Sequence, residues 1–162
     1  MIRQDMSLPP EEFLLSVINQ KYGKNFTFND FYFGERDDVD KYGCESMIYM
    51  HANPNGPYTG SIRAFYNRIQ LDEFLEKQFL TVGWREFFDT DDLLGEVLEQ
   101  LGINLGRGDI ISDIIDPDAQ TATIRISNRS IAYRGHIPVL FMGHPDSLSS
   151  RVQSTVLNGF ST

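Results

Sequence analysis

The sequence is poor in cysteine and in basic residues. Cys44 is the single cysteine among 162 residues, so an internal disulfide is excluded and we expect a reducing compartment. Lys and Arg together number 14 against 23 Asp and Glu, which gives a net charge of -9. Because each neutralised phosphate of a nucleic acid requires a Lys or Arg, this balance argues against nucleic acid as the main partner.

Long hydrophobic runs are also absent. The longest lies near residues 137–142, which is the length of a strand and far short of the ~20 apolar residues that cross a bilayer. Residues 1–6 lack the apolar segment of a signal peptide. We therefore expect no membrane partner and no export by the general pathway. With 41% hydrophobic and 12% aromatic residues, the chain is too apolar to be disordered.

The residues that commonly bind metal ions are scattered along the chain. His51, His136 and His144 form no pair at helical spacing, and no cysteine or histidine cluster accompanies them. The acidic stretches 36–40 and 113–118 lack the central glycine and the final glutamate of a calcium-binding loop. The sequence therefore predicts no metal site and no cofactor, and solvated loops at both acidic stretches.

Motifs for phosphate binding and nucleophilic catalysis are incomplete. The glycines of segment 102–108 are not followed by Gly-Lys-Ser/Thr, so a phosphate-binding loop is not supported. Ser61 lies outside the Gly-x-Ser-x-Gly pattern of a nucleophile elbow. Cys44 has an acidic neighbour, which disfavours a thiolate. We predict no catalytic residues and a protein that is not an enzyme.

Hydrophobic spacing and turn residues predict alternating helices and hairpins. Helices are predicted over 10–22 and 90–101, ended by Gly23 and Gly102, with Thr90 as the cap of the second. The remaining predictions are a short helix over 71–78, a short extended segment over 24–33, a loop over 34–43, strands over 45–52 and 58–68 around a turn at 53–57, a short apolar run over 110–115, a turn at 116–118, and a second hairpin from strands 121–127 and 133–142.

An internal repeat is the most informative pattern. When Leu14 is aligned with Leu93, a run of matches follows without a gap, and Tyr-x-Gly later recurs before each final strand; the matched pairs include Gly23 and Gly102, Asn25 and Asn104, Asp30 and Asp109, and Tyr58 and Tyr133. Self-similarity of this kind predicts duplication of one unit. We predict an α+β fold of two tandem helix-plus-β-hairpin repeats that form an antiparallel sheet with the helices on one face. The expected boundaries are 1–78 for the first repeat with an N-terminal arm, 79–142 for the second, and 143–162 for a C-terminal arm.

The segments Leu14–Asn19, Gly23–Phe26 and Tyr58–Leu71 resemble repeats in virion structural proteins of large tailed bacteriophages. This resemblance implies a non-enzymatic component of the particle, associated with the tail or the capsid and acting through subunit contacts. It also implies other virion structural proteins as partners, with further copies of the chain among them. The expected location is the virion, and the host cytoplasm during assembly.

Two alternatives remain open at this point. The first is a cytoplasmic homo-oligomeric module that binds proteins, and the second is a small hydrolase or carbohydrate-binding domain, which rests only on aromatics and scattered aspartates. The aromatics fit an interface because Tyr and Trp combine an apolar body with a polar end; they are Tyr32, Phe33, Tyr42, Tyr49, Tyr58, Tyr66 and Trp84. The arms at 1–9 and 143–162 are the other interface candidates.

Overall fold

A mixed α+β architecture, rich in strands, is seen in the computed structural model, which describes residues 5–76 and 78–143. Its helices are α1 (Pro10–Tyr22), α2 (Leu71–Phe74) and α3 (Leu94–Leu101), and its strands are β1 (Phe31–Lys41), β2 (Cys44–Ala52), β3 (Ser61–Tyr66), β4 (Ile69–Gln70), β5 (Leu80–Gly83), β6 (Ile110–Ile111), β7 (Thr121–Ile126), β8 (Tyr133–Arg134) and β9 (His136–Met142). No helix of the described residues is long and apolar enough to cross a membrane.

The first sheet is an antiparallel meander in the order β1-β2-β3. The predicted hairpin of β2 and β3 is present, and it places Ile48 opposite Ala64. The predicted loop over 34–43 is wrong, because most of this segment belongs to β1. Its charged side chains suggested a solvated loop, but an edge strand can carry them toward water. The predicted extended segment begins too early, since the strand starts only at Phe31.

The second sheet has the order β5-β9-β7-β6. Strands β7 and β9 pair antiparallel, as the predicted second hairpin requires. Strand β6 adds to β7, also antiparallel. Strand β5 is added in parallel along the outer edge of β9, and β4 pairs in parallel with β8 in a separate two-stranded sheet. These two parallel pairs join sequence-distant segments, and local patterning did not indicate them. They correct the prediction of a purely antiparallel sheet.

The helix ends follow from local chemistry. Helix α1 has its predicted bounds, and Gly23 closes it with φ of 60°. Gly102 closes α3 in the same way with φ of 62°, a left-handed conformation that glycine adopts at little cost.

Two details of the helix predictions are wrong. The segment Thr90–Leu93 is a 3-10 turn whose cap is the Asp89 carboxylate, which accepts the Asp91 N–H at 3.0 Å. The buried Thr90 hydroxyl instead donates to the Ile111 carbonyl at 3.2 Å. Helix α2 ends at Phe74, four residues short of the predicted 71–78.

Two hydrophobic cores lie against the two larger sheets. The larger core is built on the second sheet and α3, with Val97, Ile124 and Ile137 fully buried. The smaller core joins α1 to the first sheet, with Ile48 fully buried. Helix α1 contributes to both, because Phe13 belongs to the larger core while the following residue belongs to the smaller one.

The second sheet contains its own antiparallel meander, β6-β7-β9, and the turn before each of the two meanders is closed by an aspartate. The Asp30 N–H donates to the Thr27 carbonyl at 3.0 Å, and its carboxylate accepts the Thr27 N–H at 2.7 Å. The same two bonds join Asp109 to Gly106, at 2.9 Å each. An aspartate that bonds the backbone three residues earlier fixes a turn without chemical involvement.

The entry into the last strand of each meander is also alike. Gly60 and Gly135 have φ of 86° and 88°. The Gly60 carbonyl accepts the Ala52 N–H at 2.9 Å, and the Gly135 carbonyl accepts the Ile126 N–H at 3.0 Å. From these points β3 pairs with β2, and β9 pairs with β7, with equivalent registers.

Candidate functional site

The two histidines of the described residues, His51 and His136, are not brought together. His51 stacks on Tyr49 with ring centroids 5.8 Å apart. The His136 ring lies 3.9 Å from the Asp72 carboxylate at the surface, and His144 lies outside the described residues. Within residues 5–76 and 78–143 no group of three His, Cys, Asp or Glu side chains is arranged to hold a metal ion.

The other motif residues have local structural roles. The glycine-rich segment 102–108 leads into a single 3-10 turn, Arg107–Asp109. Ser61 is exposed at the start of β3, and Cys44 is half-buried at the start of β2. In the second acidic stretch, Asp113 forms a bidentate pair with Arg125 at 2.5 and 2.7 Å. The hydrogen bond from Arg125 lowers the pKa of Asp113.

An open apolar cavity of about 220 Å³ lies on the first sheet, beside the entry into β3. Tyr58 and Ile62 belong to its wall and are 52% and 63% exposed. Its wall is mainly hydrophobic and is formed by Phe26, Asp30, Phe31, Met50, Ala52, Tyr58, Thr59, Gly60, Ser61 and Ile62. Large apolar side chains left open to water at one place are typical of an interaction surface.

The corresponding place on the second sheet is filled. Tyr133 and Ile137 are fully buried there. The Phe13 ring stacks on Tyr133 with centroids 6.1 Å apart, and the Tyr133 hydroxyl donates to the Met6 carbonyl at 3.4 Å. Leu71 of α2 packs into the same core. The N-terminal segment, α1 and α2 thus cover this face of the second sheet. The corresponding face of the first sheet stays open.

The outer edges of the two meanders differ in the same way. The outer edge of β9 is occupied by β5. Among the described residues no strand pairs with the outer edge of β3. An edge strand with unpaired N–H and C=O groups is a template for pairing with another chain. We take the β3 edge and the adjoining cavity together as the candidate site, and call them the open face.

Some of the aromatic side chains are exposed, as an interface requires. Tyr32 and Tyr42 are 51% and 76% exposed. The Phe65 ring of β3 meets Tyr42 edge-on, with centroids 5.1 Å apart. Trp84, in contrast, packs on Phe141 of the second sheet with centroids 5.1 Å apart. The aromatics therefore divide between the core and the surface of the first sheet.

A group of arginines links the two sheets. Arg36 and Arg68 contact the Asp38 carboxylate at 2.6 and 3.2 Å, and both side chains are only 7% exposed. Arg36 also donates to the Asn128 carbonyl, and Arg68 donates to the Ser130 carbonyl at 3.5 Å. The two carbonyls belong to the turn between β7 and β8, so these arginines join the first sheet to the second.

A second ion pair joins Arg134 of β8 to Glu45 of β2. The hydrogen bond from Arg36 holds the pKa of Asp38 below its ordinary value. Burial lowers the pKa of Arg68 and raises the pKa of the neighbouring Tyr66 to about 12. Because each cation of this cluster faces a carboxylate or carbonyl of the chain itself, the cluster acts as a clamp between the sheets.

The sequence prediction missed the open face because the two sheets differ in which other segments of the chain pack against them. Local sequence patterns do not report such packing. Strand β5 pairs with β9 far along the chain, Leu80 with Val139, and local sequence spacing does not indicate such a pair. The available signal was the exposed side of β3, where Ile62 alternates with polar neighbours as in a half-buried strand.

No curated protein and no solved structure matches this chain significantly. One family model matches residues 3–162, which is nearly the whole chain. The chain therefore belongs to DUF7941, a family of unknown function.

Proposed function

We propose that the protein is a non-enzymatic assembly component that acts through contacts between subunits, as a structural protein of a tailed bacteriophage particle. The observation that carries this proposal is the open face, where Tyr58 and Ile62 remain exposed while Tyr133 and Ile137 are buried. An uncovered apolar surface beside an unpaired strand edge is suited to bind another protein. The assignment to a phage particle rests on the sequence resemblance of the first repeat.

We further propose that the chain contains two copies of one unit, each a helix followed by an antiparallel meander. Three matched features support this proposal: helices that end at a left-handed glycine, aspartate-closed turns, and final strands that open at a left-handed glycine. Matched core positions add further support, since Leu14 and Leu93 are both buried. Each unit of this size is marginal alone, and two units stabilise each other by shared burial.

Binding is favoured over chemistry by the character of the open face. Its cavity is lined mainly by aromatic and aliphatic side chains, whereas a catalytic pocket contains convergent polar groups with shifted pKa values. The strongly shifted tyrosines, Tyr66 and Tyr133, have raised pKa values because they are buried in the scaffold. The shared glycines and aspartates shape the backbone.

Quantitative mass spectrometry of purified particles from the source of the sequence tests this function. The proposal expects the chain in intact particles at a fixed copy number that survives high-salt washing. A matched measurement on lysate from which particles have been removed is the control. Complete recovery in the particle-free fraction, with none in washed particles, would favour a cytoplasmic homo-oligomeric module and overturn the phage assignment.

A further inference from the structure

We infer that the β3 edge binds a strand donated in parallel by residues 154–157 of a second copy of this chain, giving head-to-tail assembly. This inference rests on the proposed function, because it names the partner of the open face. It depends on three observations: the β5–β9 pair, the equivalence of β3 and β9, and the sequence of the segment that follows the second sheet.

The pair formed by β5 and β9 supplies the geometry. Thr81 lies opposite Leu140 and Val82 lies opposite Phe141, in parallel. The Val82 side chain is 1% exposed, so the added strand places an apolar residue into the core. The ladder continues past the strand, since the Trp84 N–H donates to the Met142 carbonyl at 2.8 Å. This edge of the second sheet is therefore completed by strand addition.

Strand β3 offers the same edge. Counting from Gly60 and Gly135 places Phe65 where Leu140 stands in β9. In an antiparallel pair, residues alternate between bonding the partner strand and facing away. Because the Gly60 carbonyl bonds Ala52, the N–H groups of Arg63 and Phe65 are directed to the outer edge. Phe65 thus presents to an incoming strand the groups that Leu140 presents to β5.

The donor is indicated by sequence. Segment 80–84 reads Leu-Thr-Val-Gly-Trp, and segment 154–160 reads Ser-Thr-Val-Leu-Asn-Gly-Phe. Both contain Thr-Val, followed by glycine and an aromatic residue, with two additional residues in the later segment. Residues 154–160 lie outside the described part of the chain. Their Thr155-Val156 pair matches Thr81-Val82 at the point where the parallel ladder is made.

The order of the segments indicates donation between copies. β5 follows the first sheet along the chain and completes the second sheet. Residues 154–157 follow the second sheet in the same way. By analogy with β5, they would complete the first sheet of another copy. Each copy then carries one donor and one acceptor, and this heterologous contact forms rings or filaments.

Size-exclusion chromatography with light scattering, over a dilution series of the full chain, tests the donor. We expect assemblies larger than a monomer that dissociate on dilution. Val156→Asp should weaken this association on the order of tenfold or more, because it places a charge where an apolar contact is needed. Ser150→Asp adds the same charge outside the donor segment and should leave assembly unchanged. A wild type that stays monomeric at every concentration would overturn the inference.

The acceptor is tested by removing one outward N–H. Phe65→Pro should abolish assembly, whereas Arg63→Pro should not, because Pro138 already occupies the equivalent position of β9. Circular dichroism establishes whether each variant folds. If Phe65→Pro misfolds, the decision rests on Val156→Asp, which lies outside the described residues.

A mixture of the two variants distinguishes the arrangement. Val156→Asp keeps a working acceptor and Phe65→Pro keeps a working donor, so together they should form dimers that grow no further. Larger assemblies from the mixture, or unchanged assembly by either variant alone, would contradict head-to-tail donation. If the chain assembles in this way but is missing from purified particles, the phage assignment fails and the inference stands. If the chain is present in particles but remains monomeric in solution, the inference fails and the phage assignment stands.

Discussion

Tyr58 and Tyr133 each stand two residues before a left-handed glycine that opens the final strand of a meander, yet Tyr58 is 52% exposed and Tyr133 is fully buried. The two side chains differ in exposure because other residues pack over Tyr133 but leave one side of Tyr58 open. Phe13 stacks on Tyr133, and the Tyr133 hydroxyl donates to the backbone of Met6. Tyr58 has an edge-on contact with Phe26 at 5.6 Å between centroids, and its other side faces water. One residue type thus serves the core in one sheet and the surface in the other.

This contrast predicts that removing the two rings lowers the free energy of unfolding by different amounts. Tyr133→Ala should lower the free energy of unfolding by about 3–5 kcal/mol, because it leaves a large cavity in the core. Tyr58→Ala should lower it by about 1 kcal/mol, because only one aromatic contact is lost. Chemical denaturation at a concentration where the chain is monomeric measures both values. Equal costs would show that Tyr58 is as well packed as Tyr133.

The sequence predicted those elements that are determined by hydrophobic spacing and turn residues within a short segment. The bounds of α1 follow from its spacing and from Gly23, and the hairpin of β2 and β3 follows from the turn between them. The prediction of a loop over 34–43 was wrong because the charged residues of this segment are compatible with either a loop or an exposed edge strand. This segment is a strand because it pairs with β2. Sequence spacing does not report such pairing.

The open face could be predicted only in part. Seven aromatic residues, among them Tyr58 and Trp84, suggested an interface, and of these Tyr58 is 52% exposed in the structure. The matched Tyr133 has the same local sequence signal, and it differs because Phe13 and the backbone of Met6 contact it in the folded chain. Parallel addition of β5 likewise depends on contacts between segments far apart in the chain.

The two left-handed glycines give a second prediction. Both substitutions to alanine carry the strain of a positive φ, which costs about 1–2 kcal/mol. A Cβ at Gly60 would meet nothing within 4 Å, whereas a Cβ at Gly135 would overlap the side chains of Asp72 and Gln70, both of which would have to move. Gly135→Ala should therefore be the more destabilising by roughly 1 kcal/mol or more. Thermal unfolding of the matched pair measures the difference, and a larger loss for Gly60→Ala would contradict it.

Alkaline pH should destabilise the protein through its buried tyrosines. Burial raises the pKa of Tyr66 and of Tyr133 from 10.0 to about 12. Because the unfolded chain loses these protons first, the stability they provide is complete below pH 10.0 and declines as the pH rises toward about 12. The free energy of unfolding, followed by denaturant titration across this window, should fall with pH.

Tyr66→Phe provides the control for this pH dependence. It removes one titrating hydroxyl and keeps the ring, so the decline over the same window should be shallower than in the wild type. A decline of unchanged steepness would show that Tyr66 does not contribute, and that other groups cause the alkaline loss.

Acid should act on the clamp between the two sheets. The hydrogen bond from Arg36 lowers the pKa of Asp38 from 3.8, so the folded state favours the charged carboxylate. The stability this provides is present above pH 3.8 and is lost as the pH falls through the lower pKa of the folded state. The side chain of Asp38 is 68% exposed, so solvent screening limits the contribution to about 1 kcal/mol.

Asp38→Asn should therefore lower the free energy of unfolding by about 1 kcal/mol at neutral pH and by less as the pH falls below 3.8, where the wild-type carboxylate is itself being protonated. Asp37→Asn is the matched control, because this exposed neighbour lies on the opposite face of β1. Denaturant titrations of the three proteins at neutral and acid pH make the comparison. A constant difference between wild type and Asp38→Asn at every pH would mean that the effect arises from packing, since only loss of the ionised carboxylate makes the two proteins converge in acid.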